Sequence, residues 1–135
     1  MERTINTKFY TYDQNNSGGR FTISEKEGIS EYVIIEAINA EHSNTRAEEI
    51  GLYFDGCETG NDCSCCGDRW HRANESYGSD VPSIYGEPLA DIEKSYFQEC
   101  CFVHYLDGKF EKITFKEKSR LADLKRIYNE IHKNT

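Results

Sequence analysis

The chain lacks any apolar run of the length that a membrane span needs, and its amino terminus, MERTINTKFYTYDQNN, has no apolar stretch of signal-peptide length. Both absences lead to the expectation of a cytoplasmic protein with no membrane partner. Basic residues are also scarce. Sixteen Lys and Arg stand against 24 Asp and Glu, a net charge of −8, which repels phosphate backbones and makes nucleic acid an unfavoured partner. Linkers, low-complexity tracts and internal repeats are missing too, so residues 1–135 are expected to form a single domain. At 37% apolar residues, with nine Tyr and seven Phe, the composition is that of a folded chain whose core leans on aromatic rings.

Six cysteines are present, and an even number raises the question of a disulfide framework. Four of them, Cys57, Cys63, Cys65 and Cys66, fall within ten positions, and the other two are the neighbours Cys100 and Cys101. Disulfide scaffolds spread their half-cystines along the chain, so reduced thiols are expected here.

Local patterns predict an α+β fold, an antiparallel sheet with hairpins, one short helix and one C-terminal helix. Strands at 9–12 and 20–23 flank a polar Gly-rich loop and read as a first hairpin. EYVIIEAI, residues 31–38, reads as a buried strand because it is short and dense in β-branched residues. HSNTRAEEIG reads as a short helix capped by Asn44 or Thr45, with Glu48 completing a capping box and Gly51 ending it. A short strand is expected at 83–85. Strands at 101–106 and 109–115 flank Asp107-Gly108, the dipeptide suited to a primed turn. The tail has Ser119 as a cap and Leu121, Leu124, Ile127, Tyr128 and Ile131 on one stripe, the mark of an amphipathic helix.

The segment CETGNDCSCCGDRWH carries the most chemistry. Cys63 and Cys66 are spaced CxxC and followed by Gly67, as in a zinc knuckle. Cys57 and His71 flank the pair and can close a tetrahedral site locally, with Cys65 as a substitute. The other closure brings Cys101 and His104 from the later hairpin. A structural zinc stapling this loop is therefore the expectation, against the alternative of inert buried thiols. Comparison with the zinc deaminases fails: Asp62 stands where they have Pro, and neither His42 nor Cys57 is followed by the required Glu two residues on.

Other candidates are weaker. Asp13, Asn15, Ser17 and Gly18 fall at EF-hand spacing, but the twelfth position is Ser24 and not Glu, which disfavours calcium. Arg69, Trp70 and Arg72 around His71 form a basic and aromatic knot that reads either as an exposed partner-binding anchor or as a plug over the metal loop. His42 and His132 read as solvent-facing residues, and His104 as a hydrogen-bonded strand residue.

FYTYDQNNSGGRF, then IIEAINA and RAEEIGLYFDG, then DCSCCGDRW resemble a family of small uncharacterised proteins encoded by tailed bacteriophages. The similarity covers the first half to two thirds of the chain, and CCGDRW is its most specific part. The resemblance implies an accessory protein acting in the cytoplasm of an infected host cell. It assigns no catalytic residue. Together these readings favour a zinc-stapled module that binds a host or phage protein in host takeover or counter-defence. The alternatives are a metal-dependent hydrolase or nucleotide-processing enzyme, and an acidic nucleic-acid mimic or minor virion component.

Overall fold

A computed structural model of the chain describes residues 6–16, 19–93 and 99–115. The predicted C-terminal helix, its cap Ser119 and His132 lie outside the described residues, as do Ser17 and Gly18. The described part is α+β. A four-stranded sheet runs in the order β1-β2-β5-β6, where β1 is Lys8–Asp13, β2 is Tyr32–Ala37, β5 is Cys100–His104 and β6 is Phe110–Thr114. Helix α1, Ala40–Ile50, packs on it. A one-turn helix α2, Gly56–Thr59, and a small hairpin of β3, Ser83–Ile84, with β4, Glu87–Pro88, follow along the chain.

β2 is central because both its faces are apolar. Val33, Ile35 and Ala37 point to one side, among Tyr10, Tyr12, Ala40, Ala47, Leu52, Phe54 and Trp70. Tyr32 and Ile34 point to the other, among Ile84, Leu89, Cys101, Val103 and Phe115. Each fully buried aliphatic side chain contributes roughly 1.5–3 kcal/mol relative to exposure, so the run of four buried residues from Tyr32 to Ile35 makes this strand the seam of the domain. The hairpin forms at Asp107-Gly108 but not through the expected primed turn: Asp107 does not share the positive φ of Gly108, 88, and with the Gly108 amide donating to the Tyr105 carbonyl and the Tyr105 amide to that of Lys109, Leu106 and Asp107 are the central pair of an ordinary turn that Gly108 closes.

Three further expectations are corrected. β1 does not pair with 20–23; it pairs antiparallel with β2, from Lys8 opposite Ala37 to Asp13 opposite Tyr32. Pairing with β2 brings buried aliphatics, whereas Phe21 and Ile23 remain exposed, and Thr22 is instead fastened through its backbone to the Gln14 side chain. The sheet is also not wholly antiparallel: β2 and β5 are parallel, with Val33 opposite Phe102. A long excursion between them supplies the crossover that parallel strands require. Finally, α1 begins five residues early, because Asn39 is the N-cap, accepting from the His42 amide at 2.8 Å. Asn44 is diverted to tertiary contacts, accepting from Tyr12 Oη at 2.6 Å and from the Ala73 amide at 2.9 Å. The C-terminal stop at Gly51 is as expected.

Candidate metal centre

After α1, Leu52 and Phe54 enter the core and draw the following polar segment down onto the sheet. Asp55 adopts a left-handed conformation, φ 58, and α2 begins. Gly56 is required by what lies against it: a Cβ there would sit 1.8 Å from Asp62 Oδ2. The Asp62 carboxylate is buried and fully engaged. Tyr53 Oη donates to Oδ1 at 2.7 Å, the Arg69 amide donates to Oδ2 at 2.8 Å, and Arg69 Nε lies 3.7 Å from Oδ1.

Arg69 then carries the loop to the sheet. One guanidinium nitrogen donates to Gln14 Oε1 and to the Arg20 carbonyl, each at 2.8 Å, and Nε donates to Tyr53 Oη at 3.1 Å. Asn15 holds the loop from the same side: its amide donates to the Arg69 carbonyl and its side chain donates to the carbonyls of Cys66 and Asp68. Asp68 Oδ1 accepts from the Cys57 amide at 2.9 Å. A loop of polar sequence is thereby held by buried hydrogen bonds, with its rear face pinned and its thiols outward.

Those thiols converge. The ligand atoms of Cys63, Cys65 and Cys66 all lie within 4.8 Å of one another, and all three residues are exposed. The amides of Cys66 and Gly67 both donate to the Cys63 carbonyl, which curls the CxxC pair into the tight turn expected of a knuckle and brings Cys65 in between. Cys65 Sγ lies 2.7 Å from Cys63 Sγ and 3.9 Å from Cys66 Sγ. The Cys65 thiol and the amides of Cys65 and Cys66 all favour the Cys63 thiolate, and pull its pKa down to about 7. Its role as donor pushes Cys65 up to about 11. Cys57 is pushed up to about 11 by partial burial and then by Asp68. Three sulfur donors at this separation can hold a metal ion, and thiolate ligands suit soft and borderline metals.

The remaining predicted ligands sit differently. Cys57 is half-buried beside the group, its thiol donating to the Cys63 carbonyl at 3.4 Å. His71 is exposed and outside the cluster. Closure by Cys101 and His104 does not occur. Residues three apart on a strand point to opposite faces, and the Cys101 thiol accordingly lies in one core cluster, donating to the Tyr32 carbonyl, while His104 Nε2 bonds the Gly28 carbonyl at 2.7 Å on the other side.

Of the three residues read as a partner surface, two are internal. Trp70 is 2% exposed and belongs to the core beside Tyr12 and Phe54; Arg69 is 8% exposed. The reading of Trp70 as an exposed anchor is therefore corrected: on an excursion that must be glued to the sheet, the largest apolar side chain is worth most when buried. Arg72 stays at the surface, bidentate to Asp55 at 2.7 and 3.1 Å and stacked over Phe54 at 5.1 Å. The EF-hand spacing also dissolves, since Asn15 turns to the cysteine loop and Asp13 accepts from Tyr85 Oη. What the sequence hid is the fastening set of Gln14, Asn15, Tyr53 and Asp62, whose partners for Gln14 and Asn15 lie 51 to 55 positions away.

No curated protein and no solved structure matches the chain. One family model, described as Domain of unknown function (DUF7296), matches residues 7–121. That span takes in the whole of the described sheet and the cysteine loop, and the protein belongs to the DUF7296 family.

Proposed function

We propose that this protein is a small zinc-binding accessory module, encoded by a tailed bacteriophage, that acts on a host or phage protein in the cytoplasm of the infected cell. The observation that carries the reading is the convergence of three exposed thiols on a loop whose rear face is already fixed. Zinc is the metal proposed because it accepts all-thiolate tetrahedral sites and performs no redox chemistry of its own. Cys63, Cys65 and Cys66 supply three ligands and Cys57, the nearest further thiol, is the proposed fourth. A closed four-sulfur site of this type is structural, and it would rigidify the loop as a recognition surface.

Cobalt substitution tests the reading. Titrating metal-free protein with Co²⁺ should give the thiolate charge-transfer and tetrahedral ligand-field bands of a four-sulfur site, and Cys57→Ser should weaken the charge-transfer band while leaving the site tetrahedral. An octahedral spectrum without charge transfer would contradict it.

A further inference from the structure

A concavity of about 620 Å³ opens between the β3–β4 hairpin, the end of β1 and the segment after Trp70. Tyr12, Tyr32, Tyr77 and Tyr85 line it, together with Asp13. Its tip is unusual. The hairpin turns on Tyr85 and Gly86, both at positive φ, 51 and 81. The first of these turn positions normally takes Asn, Asp or Gly, and a bulky aromatic side chain there is strained. Burial does not compensate, for Tyr85 is 82% exposed. Strain held by a residue that adds little to the core collects at functional sites.

What holds Tyr85 also orients it. Its hydroxyl donates to Asp13 Oδ2, and its ring stands edge-on to Tyr32 with centroids 6.0 Å apart. Tyr77, 56% exposed, faces the same cavity. The rim charges leave one sign uncompensated. Arg72 reaches the cavity, but its guanidinium is held bidentate by Asp55, and among the described residues no cation pairs with Asp13. His71 also lies on the lining.

We infer that this cavity is a binding site for an organic cation, an ammonium or guanidinium group held against Asp13 and enclosed by the rings of Tyr77 and Tyr85. Aromatic faces attract such cations, and a carboxylate beside them adds direct charge pairing. The net charge of −8 draws the same class of ligand toward the surface. This site is separate from the thiol cluster and does not depend on the metal.

Titration of the full-length protein with spermidine, agmatine and a capped arginine-containing peptide, followed by calorimetry and NMR, tests the inference. Binding should be detectable below about 1 mM and weaken as salt is raised. Asp13→Asn and Tyr85→Gly should each weaken it by about tenfold or more. Glycine relieves the turn, so Tyr85→Gly is expected to fold at least as stably as the wild type, and Asp13→Asn alters only an exposed side chain. Tighter binding of the peptide would identify a side chain of a protein partner, and tighter binding of spermidine a free polyamine. Equal binding of glucose or adenosine, or indifference to both substitutions, would overturn the proposal.

Discussion

Arg69 donates to Gln14 Oε1 at 2.8 Å across 55 residues of sequence, tying the cysteine loop to the end of β1. Asp62 lies behind the same guanidinium with its side chain wholly buried. Removing the arginine leaves that carboxylate without its cation, and breaking a buried pair from one side costs about 3–5 kcal/mol. Arg69→Ala should therefore lower stability by about that amount in urea denaturation. The exposed Arg72–Asp55 pair provides the contrast, and Arg72→Ala should cost less than about 1 kcal/mol. Equal effects of the two substitutions would contradict the assignment of Arg69 as the fastening residue.

Trp70 is the only tryptophan, so its emission reports its own surroundings. Native fluorescence should be blue-shifted and should move to the red on unfolding. Trp70→Ala should cost about 3–5 kcal/mol, the range for truncating a large core aromatic. A loss under about 1 kcal/mol, with a water-like native emission, would place the ring at the surface after all.

Burial holds the pKa of His104 below its ordinary value of 6.5; Arg46 acts in the same direction, and the Gly28 carbonyl opposes both. The unfolded chain then binds more protons than the native one below about 6.5, so this contribution to stability is present above that pH and is lost as the pH falls toward the folded pKa. Asp55, Asp68, Asp80 and Glu25 have lowered values and titrate in a more acidic range. His104→Gln keeps a donor for the Gly28 carbonyl and should flatten the loss of stability between about pH 7 and about pH 5. An unchanged slope would remove His104 from the account.

Much of this fold was legible where one short segment decides the outcome. Asp107-Gly108 fixes its hairpin because the turn needs a positive φ at Gly108, and the β-branched run from Val33 to Ile35 can be buried only as a central strand. Partner choice was not legible, since nothing within residues 8–13 distinguishes β2 from 20–23 until the two faces of β2 are filled. The helix start misled because Asn39 and Asn44 are equally good caps locally, and only the contact of Asn44 with Tyr12 and Ala73 separates them. At the site, the approach of Cys63 and Cys66 was visible in their spacing, and Cys65 joins them because it lies between the two. The burial of Arg69 and Trp70 was not, because arginine beside tryptophan has the composition of an interface until Asp62 and Gln14 arrive from elsewhere.

Metal content and thiol reactivity, measured on one preparation, decide whether the cysteine loop is a zinc site. Protein purified without chelator should carry about one zinc per chain, and its Cys63, Cys65 and Cys66 should resist alkylation. After chelation the domain should stay folded, because buried hydrogen bonds and not the metal hold the loop to the sheet. Cys63 should then be alkylated ahead of Cys57 and Cys65, its reactivity rising with pH through about 7 as the thiolate forms. Zinc below about a tenth of an equivalent, or a full equivalent retained when Cys63, Cys65 and Cys66 are all replaced by Ser, would contradict the account.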